Sequence, residues 1–391
     1  MTPPKANAAT LEHQVSEAPF DPYAIESVSP EQERYYMASQ WKLMWWKLKR
    51  HKLAVWSGGL LLLMYFSILI SELLVPYELN SRDSDHIHAP PQMVRLFHKG
   101  EFIGPYVYPL AVDKDLLKER RRVYSTDKSK PQKIRFFCLG DRYNWWGLIE
   151  GRFHFVCPPK EGTFFLLGTD RLGHDLFSRI VIGARISLTI GIVGISVSFL
   201  LGIVIGGIAG YYGGFIDSII QRIIEVLRSF PALPMWMALS AALPPKWSPL
   251  AIYFGITLIL GLLDWTGLAR AVRSKLLALR EEDFCTAAQL MGARPKRIIG
   301  RHLLPSFMSH LIASATLSIP AMILGETALS FLGLGLRKPI VSWGVLLTEA
   351  QDINAVAIYP WLMLPVIPVI VTVLAFNFLG DGLRDAADPY K

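Results

Sequence analysis

Charge is what this sequence has least of: Asp, Glu, Lys and Arg make up 18% of its 391 residues. Soluble domains typically carry about a quarter, so with a positive mean hydropathy an ordinary soluble fold is excluded and a membrane protein expected. Cysteine is nearly missing as well. Cys138, Cys157 and Cys285 form no CxxC pair and no Cys/His spacing suited to zinc, so neither a metal site nor a metal cofactor is expected. The dipeptide Gly-Lys never occurs, which rules out a P-loop and with it any cradle for ATP phosphates on this chain. No nucleophile–base constellation stands out either, so the chain is read as non-catalytic and without cofactors. The formal net charge of +8 suggests nucleic acid at first sight, but the basic residues flank apolar runs instead of interleaving with aromatics, and nucleic acid is not an expected partner.

What is present is a series of apolar runs. Residues 1–28 are polar and lack the basic-then-apolar order of a cleavable signal, and they read as a disordered cytosolic tail. Ser29, Pro30 and Gln32 make a capping box that opens a helix over 29–52. Trp41, Met44, Trp45 and Leu48 recur there at helical spacing beside Lys42, Lys47, Lys49 and Arg50, as in a helix lying among lipid headgroups. Residues 53–75 match the roughly 20 residues that cross a ~30 Å hydrocarbon core and form the first span. Residues 76–165 are too polar for lipid and read as an extramembrane insert; the basic run from Lys118 to Arg122 within it is either a solvated face or a docking patch.

Five further spans are expected within 166–391. The second, from Ala184 to Tyr212, carries Gly202, Gly206 and Gly210 at every fourth position, which lets another helix approach closely. The third, from Ile219 to Leu243, is expected as one helix kinked by Pro231 and Pro234. The rest run from Leu250 to Leu268, from Phe307 to Leu336, and from Ala357 to Leu379. Lys42, Lys47, Lys49, Arg50 and Lys52 precede span one, and Arg270, Arg273, Lys275, Arg280, Arg294, Lys296, Arg297 and Arg301 separate spans four and five. The opposite short loops hold only Lys246, Arg337 and Lys338, so both termini are expected in the cytoplasm and the insert outside. If that outside is oxidising, Cys138 and Cys157 are candidates for a disulfide, bridged or free.

Three places carry candidate functional residues. Between spans four and five, in 281–305, Thr286, Ala287, Ala288, Leu290 and Met291 build a short helix, and Gly292 supplies a residue for the left-handed turn ending it. Pro295 starts a second short helix, with Arg294 and Arg297 beside it, so the stretch reads either as a knob that a partner grips or as an ordinary basic loop. Before span two, Asp170, His174, Asp175 and Arg185 alternate carboxylate and basic groups; they either pair with one another or serve as an outer gate or a contact for an external protein. Glu326, inside span five, faces either a pathway or hydrogen-bonding backbone, since a lone carboxylate in lipid is costly.

The Ala287-Ala288, Gly292 and His302-Leu303-Leu304-Pro305 pattern resembles the coupling-helix signature of permease subunits of ATP-binding-cassette (ABC) importers. Further blocks extend the resemblance to the C-type subunit of the dipeptide/oligopeptide permease family. These are LLGTDRLGHDLFSRIVIGARISL from Leu166, Gly210 to Gly214 with Asp217, Glu326 to Gly335, Ser342-Trp343-Gly344, and NFLGDGLRDAADP from Asn377. The resemblance implies an all-α, six-span type I ABC importer fold with the N-terminal interfacial helix and the extracytoplasmic insert added. It implies a multi-pass protein of the bacterial inner membrane that imports peptides, or alternatively nickel chelates, opines or oligosaccharides. The implied partners are a homologous second permease subunit, two cytosolic ABC ATPase subunits gripping Thr286 to Arg297, an extracytoplasmic solute-binding protein, and membrane lipid. Thr286 stands where the family often has Glu, so that carboxylate's role does not transfer. His174 stands where the family usually has Arg; Arg is expected to be tolerated there, and charge pairing to strengthen in acid.

Overall fold

The computed structural model describes residues 37–112, 122–160, 162–244 and 246–387. The tail 1–28, the capping box and most of the Lys118 to Arg122 run therefore lie outside the described residues. From Met44 onward the described residues form one compact unit.

Helix α1, Gln40–Arg50, ends at His51, whose ring accepts a hydrogen bond from Ala54 N–H and starts α2, Lys52–Leu69. Buried Ala54, Ser57, Leu61 and Ile68 follow a helical stripe on α2. The expected first span reaches Val75, but the helix breaks at Ile70 and a separate turn, Ser71–Leu74, follows.

The insert is where the all-α expectation fails. Among the described residues it holds seven strands: β1 Arg95–His98, β2 Glu101–Val107, β3 Leu110–Val112, β4 Tyr124–Thr126, β5 Gln132–Lys133, β6 Arg135–Trp145 and β7 Ile149–Cys157. They pair antiparallel as β1-β2-β5, β3-β4 and β6-β7. The reason is in the residues: β6 and β7 are rich in Phe, Tyr, Trp, Val and Ile, which suit a pleated surface and lose rotamer freedom in a helix. Cys138 and Cys157, one on each of these strands, are joined in a disulfide with Cα atoms 6.4 Å apart.

Helix α3, Leu176–Tyr212, has 37 residues, roughly 55 Å and longer than a bilayer core is thick. The third apolar run is not one kinked helix. It splits into α4, Gly214–Ser229, and α5, Ala232–Ala241, because Phe230 before Pro231 is extended, as a residue preceding proline prefers. Helix α6, Pro249–Leu279, begins with Ser248 as its cap and Pro249 in its first turn. After it come α7, Asp283–Leu290, and α8, Met308–Phe331, then the short α9, Trp343–Leu347, and finally α10, Val366–Ala387.

The glycine stripe of α3 does what its spacing suggests. A Cβ on Gly206 would come within 2.4 Å of the Ala269 carbonyl oxygen, and one on Gly210 within 2.9 Å of that of Arg273, so α3 and α6 touch almost backbone to backbone. A second core, with Leu61, Ile68, Leu188, Trp343, Val369 and Phe376, ties α2 to α3, α9 and α10. Among the described residues five helices are long and apolar enough to cross a membrane: α2, α3, α6, α8 and the stretch Pro360–Ala387.

Candidate functional site

The candidate residues fall at the two ends of α3. At its N-terminal end the chain from Gly168 to Asp175 folds back on itself. Asp170, 2% exposed, is the hub. Its Oδ1 accepts from the backbone N–H groups of Leu172 (2.8 Å) and His174 (2.9 Å). Its Oδ2 accepts from His174 Nδ1 at 2.7 Å and from the Arg179 guanidinium. Burial alone would raise the Asp170 pKa, but the His174 hydrogen bond and the Arg179 charge outweigh it and hold the carboxyl at about 2.

His174 is also reached from the other side, where Arg82 Nε donates to its Nε2 at 3.2 Å. Its Nδ1 meets both Asp170 Oδ2 at 2.7 Å and the Arg179 guanidinium at 2.8 Å, so the ring sits between one carboxylate and two guanidiniums. An arginine at this position would place a third guanidinium beside those of Arg82 and Arg179. The two guanidiniums already present argue against the expected tolerance of arginine there.

Asp175 belongs to a different task. Its Oδ2 accepts from Ser178 N–H (2.8 Å) and Ser178 Oγ–H (2.5 Å), capping α3. Burial pushes its carboxyl up to about 7 despite those hydrogen bonds. Arg185 is not part of the cluster: it bonds Ser71 Oγ and Glu72 Oε2, both at 2.7 Å, and stacks over the Trp146 ring. That ion pair joins α3 to the turn after α2.

Glu326 is fully buried and ringed by three hydroxyls. Ser342 donates at 2.7 Å, Ser330 at 2.8 Å and Ser187 at 3.3 Å. Ser187 in turn accepts from Trp343 N–H, so the carboxyl sits at the junction of α3, α8 and the cap of α9. The partners of this carboxyl are side-chain hydroxyls and not the backbone.

At the other end of α3, Phe199, Ile203 and Tyr211 pack against a core containing Val272, Leu276, Cys285, Ala288 and Ile298. Here α7 ends in a Schellman turn: Gly292 N–H bonds Gln289 O at 2.9 Å and Ala293 N–H bonds Ala288 O at 3.0 Å, with Gly292 at φ 77°. The turn exposes Leu290 (85%) and Met291 (82%), with Thr286, Ala287, Arg294 and Arg297 also exposed. Ala288 points the other way, into the chain's own core, which removes it from the surface a partner would touch. A Cβ on Gly292 would meet nothing within 4 Å, so the glycine answers to backbone conformation alone within this chain. Close by, Arg273 on α6 grips both carboxylate oxygens of Asp217 on α4.

Sequence reasoning missed Arg82, Glu72 and one acid inside a span. Asp264 lies in the middle of α6, with Ser198 and Arg228 as the polar side chains near it. The acid inside LILGLLDWTGL is the signal that could have found it.

Long apolar helices packed through a glycine stripe, with a buried ionic cluster at one end and a projecting knob at the other, define a multi-pass membrane protein. Residues 202–390 match the family described as binding-protein-dependent transport system inner membrane component, and residues 39–91 match the N-terminal TM domain of oligopeptide transport permease C. The dipeptide transport system permease protein DppC of Bacillus subtilis is 40% identical over 232 residues, covering 59% of this chain and 70% of that one. The oligopeptide transport system permease protein OppC of Haemophilus influenzae is 40% identical over 235 residues, covering 60% and 73%. An inward-facing structure of the MetNI methionine ABC transporter aligns with TM-score 0.43 at 19% identity, over 55% of this chain and 98% of that one. The chain thus belongs to the family of binding-protein-dependent transport-system permeases, in its DppC/OppC-like branch. Residues 92–201, most of the insert among them, lie outside both family matches.

Proposed function

We propose that this chain is the transmembrane permease subunit of an ATP-driven importer that takes up di- and oligopeptides handed over by an external solute-binding protein. The observation that carries the reading is the knob: an apolar, glycine-terminated tip held on a rigid core at the end of α3 opposite the ionic cluster. Leu290 and Met291 are too exposed for a finished surface and fit a groove on a partner. In this reading Thr286, Ala287, Leu290, Met291, Gly292, Arg294 and Arg297 meet one of two cytosolic ATPase subunits, which supply the hydrolysis this chain lacks. The homologous second permease completes the pathway.

The α4–α5 pair together makes the sixth crossing, which puts both termini in the cytoplasm of a bacterial inner membrane and the disulfide-bonded insert outside. The basic residues flanking α2 and those between α6 and α8 support that orientation. Asp170, His174 and Arg179 then form a structural seal on the outer side, with Arg185 and Glu72 beside it. Closure of the ATPase pair pulls the knobs together and opens the path outward. The peptide cargo follows the names of the relatives, and proteoliposomes test it. The complex with its binding protein should take up labelled di- or oligopeptide only with ATP inside, and nickel chelates, opines and oligosaccharides should not compete. Uptake of one of those solutes in place of peptide would overturn the cargo assignment.

A further inference from the structure

The tip of the β6–β7 hairpin reads Trp145-Trp146-Gly147-Leu148-Ile149. Solvated hairpin turns favour Asn, Asp, Gly and Ser; here four of five positions are large and apolar. The fold does not cover them. Leu148 is 84% exposed, Ile149 57%, and both indoles are more than a third exposed.

The tip is nevertheless held in one place. The Trp145 indole N–H donates to the Leu69 carbonyl at 2.8 Å, and that of Trp146 to the same oxygen at 3.3 Å. The Trp146 ring lies 3.9 Å under the Arg185 guanidinium, and its backbone N–H reaches Glu72 Oε1 at 3.4 Å. Leu69 is the last residue of α2, one of the five helices apolar enough to cross a membrane. Along α2 the exposed residues Leu62, Leu63, Phe66 and Leu69 form a stripe facing away from the protein core, and that stripe leads directly to the two indoles. An apolar stripe on a spanning helix, then tryptophans, then an ion pair between Arg185 and Glu72 is the order in which hydrocarbon, interface and headgroups succeed one another.

We propose that the β6–β7 tip is a membrane anchor. Trp145, Trp146, Leu148 and Ile149 rest in the headgroup-to-acyl boundary of bilayer phospholipid beside the end of α2, and tie the insert to the membrane surface. The proposal rests on α2 crossing the bilayer. It gives the insert a fixed height and tilt, with the disulfide between Cys138 and Cys157 holding the two strands that carry the tip.

The test uses the full chain with its partner subunits in native membranes, with a benzophenone side chain in place of Leu148 or, separately, of Phe66. After illumination, mass spectrometry reads the adducts, and a non-reducing gel checks that the Cys138–Cys157 bridge is intact. Phospholipid adducts at both positions, in yields of the same order, support the anchor. Lipid adducts at 66 with only protein adducts or none at 148 overturn it, and leave the spanning role of α2 standing. A protein adduct at 148 would assign the tip to the second permease or the binding protein. Absence of lipid at both positions overturns the anchor and the spanning reading of α2 together.

Discussion

Replacing Asp170 by Asn takes one negative charge out of a pocket that holds the Arg82 and Arg179 guanidiniums and the His174 ring. The carboxyl is held at about 2 against an ordinary 3.8, nearly two pH units, which corresponds to about 2.5 kcal/mol in favour of the ionised, folded state. Because the folded pKa is depressed, that contribution is complete above about pH 4 and disappears as the pH falls through about 2. Asn keeps an oxygen for the Leu172 and His174 backbone donors, so the local turn should survive. Arg179, 5% exposed and already lacking a partner at Nε, is left without its anion. Breaking one side of a buried pair costs about 3–5 kcal/mol, so D170N should cost about 3 kcal/mol at neutral pH. The assay is thermal inactivation of the purified complex, comparing D170N, R179M and the double variant. The midpoint should fall by several degrees in each single variant, and the double should lose far less than the sum, since the second change removes a group the first has stranded. Additive losses, or a D170N cost below about 1 kcal/mol, would refute the reasoning.

His174→Arg should cost about 2 kcal/mol in the same assay by replacing an acceptor with a third cation, and Arg82→Gln in that background should recover part of it; an unchanged midpoint would restore the equivalence of the two residues here. Asp175→Asn should flatten a pH dependence. The folded pKa of about 7 lies above the ordinary 3.8, so stability is complete below about pH 4 and is lost as the pH rises through about 7. Asn still caps the helix, whereas Asp175→Ala should lose about 1 kcal/mol at every pH; equal pH profiles for Asn and wild type would contradict the assignment. Thiol labelling under denaturing, non-reducing conditions should find Cys285 alone, and three labelled thiols would exclude the bridge.

The sequence carried the membrane part well because its physics is one-dimensional. Apolar runs of the right length mark spans, and Gly202, Gly206 and Gly210 at four-residue spacing mark a close helix contact that the Ala269 and Arg273 carbonyls complete. Gly292 was legible for the same reason, since a left-handed turn is written in a single residue. What depends on direction was not. Ala287 and Ala288 are neighbours in sequence, yet one is exposed and the other lies in the core with Cys285, because successive helical residues point about 100° apart. The split of the third run at Phe230 was misjudged as a kink, since prolines announce a break without saying how much chain stays apolar beyond it. His174 was read by analogy with Arg, although Arg82, its partner, is 92 residues away in sequence and invisible to any local pattern. The insert's strands are marked only by composition, by Phe, Tyr and Trp between Arg135 and Cys157, and not by a regular alternation that a span-by-span reading detects.

The claim that α7 and its glycine turn are the grip for the ATPase is tested most directly by placing charge on the tip while sparing the core. Leu290 and Met291 are over four-fifths exposed, so changing both to Asp should leave this chain folded and paired with its sister permease. Affinity-purified complexes carrying both changes should arrive without ATPase subunits, or with hydrolysis no longer stimulated by loaded binding protein, because two carboxylates would be driven into an apolar groove. ATPase subunits retained at the wild-type ratio, with hydrolysis stimulated as in wild type, would contradict the account.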